Sequence, residues 1–412
     1  EYSLFNAINA LNSAFLVLGT EFENTNDSEI IEAIKVMKKN GLKVQFHAGE
    51  IQYASTELLE NSESDLQENN KIKFKIACKK QNIHKKELIN FIDSWSNTKL
   101  LVIGDSILDQ YAGCEALGMS AEAPVLVVRE LQKKDFIGGA SIVASHIKSL
   151  GAECEFLSVI GKDDAGQIIK SELSQKGIQC EFLEDDSRPT TFKKRYIVEN
   201  QKLFRVSKLS DHFLNKSIEE KFIAKLEKLA PNVDGIVISD FVYGVITPQI
   251  ITKVVELSKR YNFKIFADTQ CSSQIGLITK FKNFTLLCPN EKEARIALQD
   301  KESGLESLSK NLISQTSCEM LIMKLGAQGF IAFDPNLEGI TSQSFPALSS
   351  NPVDVSGAGD SLLAIMSTAL STERKFMPAA ALGCCMSAIA VENMGNKPIN
   401  ASQLKEFVMR IL

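Results

Sequence analysis

Three observations predict an α/β protein built on a doubly wound, mainly parallel sheet. A fully apolar run of strand length at 100–103 is followed by similar, largely apolar runs at 156–160, 235–239, 263–267, 284–287 and 320–323. Strands that are apolar throughout belong in parallel sheets covered by helices on both faces. Helical stretches at 139–150, 164–176, 216–229 and 248–261 separate most of these runs, and such alternation implies crossover connections. Residues 108–136 and 179–208 break the rhythm. They alternate polar and apolar residues, as from Phe192 to Val198, and predict a small antiparallel β lid projecting from the sheet.

Before the first of these runs lies a short α/β fragment at 1–60. Ala14 to Gly19 reads as a buried strand, Ser28 to Lys39 as a helix with Ser28 as its cap, and Leu42 to Phe46 as a second strand. Ser55-Thr56 then caps a short helix at Glu57-Leu58-Leu59. Two strands do not build an independent core, so this piece must dock on something or continue a missing part. Residues 61–97 read as a polar linker followed by a leading helix at 84–95, and 98–412 as the main domain.

The chain of 412 residues has 44% hydrophobic and 24% charged residues and a net charge of −5. That balance is ordinary for a globular protein and argues against a nucleic-acid surface. No apolar run approaches the roughly 20 residues of a membrane span. Nine cysteines and four histidines are scattered without metal-ligand spacing. Buried free thiols in a reducing cytoplasm are the expectation.

Chemistry concentrates at 354–361, Asp-Val-Ser-Gly-Ala-Gly-Asp-Ser, which runs into the apolar stretch 362–365. Here a glycine turn opens a helix whose first N–H groups have no partner within the helix and favour an anion. Asp360 stands beside that anion hole, where it can take a proton from an attacking hydroxyl. A base next to an anion cradle is the layout of phosphoryl transfer. Gly357, Ala358 and Gly359 supply the cradle. Asp109 and Asp240 follow strands, at the end where open α/β sheets bind ligands. Lys193, Arg195 and Arg205 fall on the predicted lid, and clustered cations there suit a substrate phosphate.

This constellation resembles the ribokinase/PfkB family of carbohydrate kinases over about 99–412. The shared features are Gly138-Gly139-Ala140 opening one helix, Gly357-Ala358-Gly359-Asp360 opening another, and their order along the chain. Gly104 to Asp109, Glu122 to Val125, Pro189 to Arg195, Asn200 to Arg205 and Ser239-Asp240-Phe241 look most similar to the heptose-phosphate kinase domain of the ADP-heptose pathway. The resemblance implies ATP and Mg2+ as cofactors and a sugar or sugar phosphate as acceptor. It implies Asp360 as base and Asp109, Gly138, Gly139 and Asp240 as acceptor-binding residues. Asn290 and Glu293 would organise magnesium and phosphates, Glu293 through water, and Lys324, Gly326 and Gly329 would flank the nucleotide.

Five positions depart from the family pattern. Ile142 replaces an asparagine, Tyr243 a lysine, and Lys324 the threonine before the nucleotide turn. The subgroup's Asp-Pro-Lys reads Asp268-Thr269-Gln270. A second reading therefore stands beside the kinase: a catalytically weak sugar- or nucleotide-binding scaffold. The N-terminal fragment resembles the end of a cytidylyltransferase-like nucleotidyltransferase, on Val17 to Phe22, Phe46 to Glu50 and Tyr53 to Leu59. Exposed lid edges predict a homodimer formed through the lids.

Overall fold

The computed structural model describes residues 15–18, 27–39, 42–46, 63–199, 201–270, 276–335, 342–349, 352–373 and 375–412. The chain divides into two compact units, Glu1–Ser62 and Glu63–Leu412. In the first, β1 (Phe15–Leu18) pairs in parallel with β2 (Lys43–Phe46), and α1 (Ser28–Lys39) connects them. Ala33 and Met37 of α1 are buried against Leu16, Leu42 and Val44. Asp27, not Ser28, caps α1: its carboxylate accepts the Glu29 N–H at 2.9 Å. The 47–50 stretch and the 53–59 helix lie outside the described residues.

The second unit opens with α2 (Glu63–Lys80), which corrects the expectation of a linker there. The segment is polar overall, but Phe74, Ala77 and Cys78 lie on one helical face and are buried. Phe74 meets the Phe345 ring at 6.4 Å between centroids. Three apolar residues are too few to show as periodicity. The leading helix, α3 (Lys85–Asp93), buries Leu88, Phe91 and Ile92.

The main sheet is built from β3 (Lys99–Met119), β5 (Glu153–Ile160), β6 (Gln179–Glu184), β9 (Gly235–Asp240), β10 (Lys264–Thr269), β11 (Leu286–Leu287), β12 (Met320–Lys324), β13 (Phe330–Phe333) and β14 (Ser342–Phe345). Their spatial order is β14-β13-β12-β11-β10-β9-β3-β5-β6. All pairs from β6 to β12 are parallel, and β13 and β14 add antiparallel ladders at one edge. From β3 the chain winds first to one side and then to the other. That reversal is where open α/β sheets place ligands.

Helices cover both faces. On one lie α4 (Ala140–Ser149), α10 (Ala358–Thr372), α11 (Phe376–Val391) and α12 (Ala401–Ile411). On the other lie α6 (Lys216–Leu229), α7 (Pro248–Tyr261), α8 (Glu291–Leu298) and α9 (Leu305–Thr316). A further helix, α5 (Asp164–Gln175), links β5 to β6. Helices α10 and α11 bury nearly every side chain, so they pack as core helices without an exposed stripe.

The lid consists of the distal part of β3 with β4 (Leu126–Gly139), β7 (Thr191–Val198) and β8 (Gln201–Lys208). Two expectations are corrected. Residues 179–184 are β6 and belong to the edge of the main sheet. Within the lid, β3 pairs with β7 in parallel, while β3–β4 and β7–β8 are antiparallel. The second correction follows from β3, a single strand of 21 residues that leaves the main sheet and continues into the lid.

Candidate active site

Helix α10 begins at Gly357, which sits at φ 83°. A Cβ there would lie 2.2 Å from Asn396 Oδ1, so only glycine fits the turn. The first bond of the helix runs from Ser361 N–H to the Gly357 carbonyl at 2.9 Å. Ala358 N–H lies 3.5 Å from the Val355 carbonyl, at the limit of a hydrogen bond. Asp360, in the first turn, is 3% exposed. Its Oδ1 accepts a hydrogen bond from Gln270 Nε2 at 2.9 Å. Burial first, and then the Asp268 charge, push its carboxyl up to about 7.

A second group of charged residues meets α10 from the ends of β10 and β12. Lys324 Nζ forms a buried ion pair with Asp268 Oδ2 at 2.6 Å. Burial opposes the ammonium charge, but Asp268 and Glu293 outweigh it and hold Lys324 above its ordinary range. A Cβ at Gly359 would lie 3.3 Å from Lys324 Nζ and 3.6 Å from both Asp268 Oδ2 and Gln270 Nε2. The ammonium therefore stands at the mouth of the helix N-terminus. Asn290 and Glu293 form a capping box on α8: Asn290 N–H donates to Glu293 and Glu293 N–H to Asn290, each at 2.8 Å. Gly326 and Gly329 close the turn after β12, where Leu325 N–H reaches the Gly329 carbonyl at 2.8 Å.

The residues expected on the acceptor side are brought together by β3, β4 and the lid. Asp109, 6% exposed, is paired with Arg195 Nη1. A Cβ at Gly138 would lie only 2.6 Å from Asp109 Oδ2. Gly139, at φ 62°, lets β4 turn into α4 directly over the Asp105 carbonyl. Lys193 is 3% exposed, with its ammonium over the rings of Phe241 at 4.9 Å and Tyr243 at 5.1 Å. The three lid cations occupy adjoining positions, since Arg195 lies directly across from Arg205 in the β7–β8 ladder and Lys193 is two residues away on β7. They differ in environment: Arg195 is engaged by Asp109, the Lys193 ammonium lies over aromatic rings, and Arg205 is exposed on β8. Alternation in the sequence placed these residues on lid strands but carried no sign of their ion pairing. Asp240 is likewise occupied, by Lys280 and by the Val242 N–H at 3.0 Å.

Residues 97–401 match the description "pfkB family carbohydrate kinase". The chain belongs to that family. Enzymes of that family are phosphotransferases that act on an alcohol group of a carbohydrate. Proteins named "Bifunctional protein HldE" are similar: that of Campylobacter jejuni is 31% identical over 317 residues, covering 76% of this chain and 65% of the relative. The Trichlorobacter lovleyi protein of the same name is 30% identical, covering 75% and 62%. The chain thus spans less than two thirds of the length of these relatives. The fold is that of Escherichia coli phosphofructokinase-2, with TM-score 0.62, 14% identity and coverage of 77% of this chain and 99% of that one. Thermotoga maritima ribokinase gives TM-score 0.59, 20% identity and coverage of 76% and 99%.

Kinases of this family use ATP, in general with Mg2+. Among the described residues no group of three or more His, Cys, Asp or Glu forms a metal cage. The donors present fit a hard cation held largely by water and phosphate: Asp268 Oδ1 is buried with no hydrogen-bond partner, close to Lys324 and Glu293. Several site residues escaped the sequence reading. Asp354 accepts from Tyr111 Oη at 2.6 Å and from Lys202 Nζ at 2.7 Å. These bonds tie β3 and β8 of the lid to the loop that carries Gly357. An acid at the start of the glycine motif was the available signal.

Proposed function

We propose that this kinase transfers the γ-phosphoryl group of ATP to a hydroxyl of a sugar phosphate, with a heptose phosphate as the foremost candidate, in cytoplasmic nucleotide-sugar or surface-polysaccharide biosynthesis. The observation that supports it is the meeting of two sets of residues at Asp360. On one side stand Asp109 and Lys193, on the other Asp268 and Lys324, and all four act electrostatically on the Asp360 carboxyl.

In the mechanism, Asp109, with Gly138 and Gly139, binds acceptor hydroxyls. Asp360 Oδ2 takes the proton of the attacking hydroxyl while Gln270 orients the carboxylate through Oδ1. The N–H groups of the Gly357-Ala358-Gly359 turn and the Lys324 ammonium stabilise the charge on the transferring group. Asn290 and Glu293 would hold magnesium through water, and the ion would neutralise the β- and γ-oxygens of the nucleotide.

The test is ATP consumption over a panel of heptose, fructose, mannose and ribose monophosphates, with wild type and Asp360→Asn. Turnover by the wild type and a loss of roughly three powers of ten or more in the variant, with ATP binding kept, is the expected result. Near-wild-type turnover by Asp360→Asn overturns the mechanism. Binding without turnover across the panel favours the scaffold reading.

A further inference from the structure

The loop that follows α11 places an amide between the acceptor side and the anion hole. Gly395 pins this loop twice. Its N–H donates to Asp354 Oδ2 at 3.2 Å, and a Cβ on it would lie 2.5 Å from the Phe136 ring. The next side chain, Asn396, lies beside both glycine turns. Its Oδ1 is 2.2 Å from the position of a Cβ on Gly357, and its Nδ2 is 3.4 Å from that of a Cβ on Gly138. Asp109 Oδ2 lies 2.6 Å from the latter point. The amide therefore spans the gap between the acceptor carboxylate and the first residue of the catalytic turn.

Asn396 Oδ1 is buried and accepts no hydrogen bond. A buried acceptor left unmade is costly, so an orphan in a native site calls for a partner that the chain itself does not supply. A carbohydrate hydroxyl is such a partner. An amide offers an acceptor and donors on one rigid plane, which matches two neighbouring hydroxyls of a sugar.

We propose that Asn396 is a specificity-determining residue that reads the hydroxyls next to the one Asp360 deprotonates, accepting from one through Oδ1 and donating to another through Nδ2. This rests on the kinase reading above. It accounts for three features at once: a glycine at 357, a pinned loop after α11, and an unpartnered buried oxygen between Asp109 and the anion hole.

The experiment uses the full chain, the best acceptor of the sugar-monophosphate panel and the monodeoxy analogues of that acceptor. Asn396→Ala should raise the acceptor KM about tenfold, the effect of about 1.4 kcal/mol, with the ATP KM and the melting temperature unchanged. One deoxy analogue should lose about tenfold in kcat/KM with the wild type and almost nothing further with Asn396→Ala. A merely structural role would not produce that analogue-specific cancellation. Should Asn396→Ala melt early, Asn396→Ser takes its place in the same comparison. An unchanged acceptor KM, or equal losses for every analogue in wild type and variant, overturns the proposal while the kinase reading stands. If no acceptor turns over, calorimetric binding of the same sugars decides. Binding weakened by Asn396→Ala keeps this proposal as the kinase reading falls, and absence of any binding overturns it.

Discussion

Asp360 is a carboxylate placed where its charge is unwelcome until substrate arrives. Its carboxyl stands near 7 because it is buried and faces Asp268, with Lys324 and Lys193 pulling the other way. A general base must be ionised, so kcat/KM for the acceptor should rise with pH through about 7 and level off above it. The linkage has the opposite sense. A carboxyl raised from 3.8 to about 7 binds its proton more tightly in the folded protein, so its contribution to stability falls as pH rises through that window. Asp360→Asn should remove both dependences; a pH–rate profile and melts from pH 4 to 8 in wild type and variant check this. Arg195 carries a different expectation from a simple phosphate clamp. Its partner is Asp109, and Tyr111 lies under its guanidinium at 5.3 Å. Arg195→Ala leaves Asp109 buried and unpaired, so the acceptor KM should rise about tenfold or more whether or not the sugar carries a phosphate. Kinetics on matched phosphorylated and unphosphorylated acceptors separate the two roles: an effect confined to the phosphorylated one restores the clamp.

The ends of β10 and β12 show how strands deliver charge to a helix terminus. Asp268 and Lys324 lie at the C-terminal ends of buried strands, and their ion pair fills the space in front of Gly359. Removing one partner of a buried pair costs about 3–5 kcal/mol because the other is stranded. Lys324→Met should therefore lower stability by about that much and also weaken ATP binding. Adding Asp268→Asn should recover most of the stability but none of the ATP affinity, which denaturant melts and nucleotide titrations on the two variants would separate. Recovery of both would confine Lys324 to a structural part. The six central strands β3, β5, β9, β10, β11 and β12 were legible because each carries a mostly apolar run, and the Gly-Ala-Gly-Asp turn because its residue types need one another at fixed spacing. Helix α2 was not, since its buried side is only a few residues wide. The direction of β7 was not, because alternation with period two is the same for parallel and antiparallel neighbours. Asn396 gave no local signal: the glycines it lies beside, Gly138 and Gly357, come from a strand and a turn distant in sequence.

Assembly is the remaining consequence of the architecture. The lid sheet runs β4-β3-β7-β8, so β4 and β8 are its edge strands. Its surface carries Leu117, Met119, Val125, Leu131, Phe204 and Val206, all at least 48% exposed. Unpaired strand edges beside exposed apolar side chains are features that proteins cover. We therefore expect two lids to pack on each other in a homodimer, and the tie from Lys202 through Asp354 to the Gly357 loop gives that packing a route to the active site. Light scattering at micromolar concentration should report a dimer. Leu131→Lys combined with Phe204→Lys should shift it to monomer, because burying two ammonium groups in an apolar contact is strongly unfavourable. The monomer should keep its melting temperature and its ATP affinity, since neither side chain belongs to the core or to the nucleotide side. Its acceptor KM should rise, because a lid without its partner no longer holds Lys202 against Asp354. A wild-type chain that is already monomeric at this concentration and fully active would show that the lid closes alone.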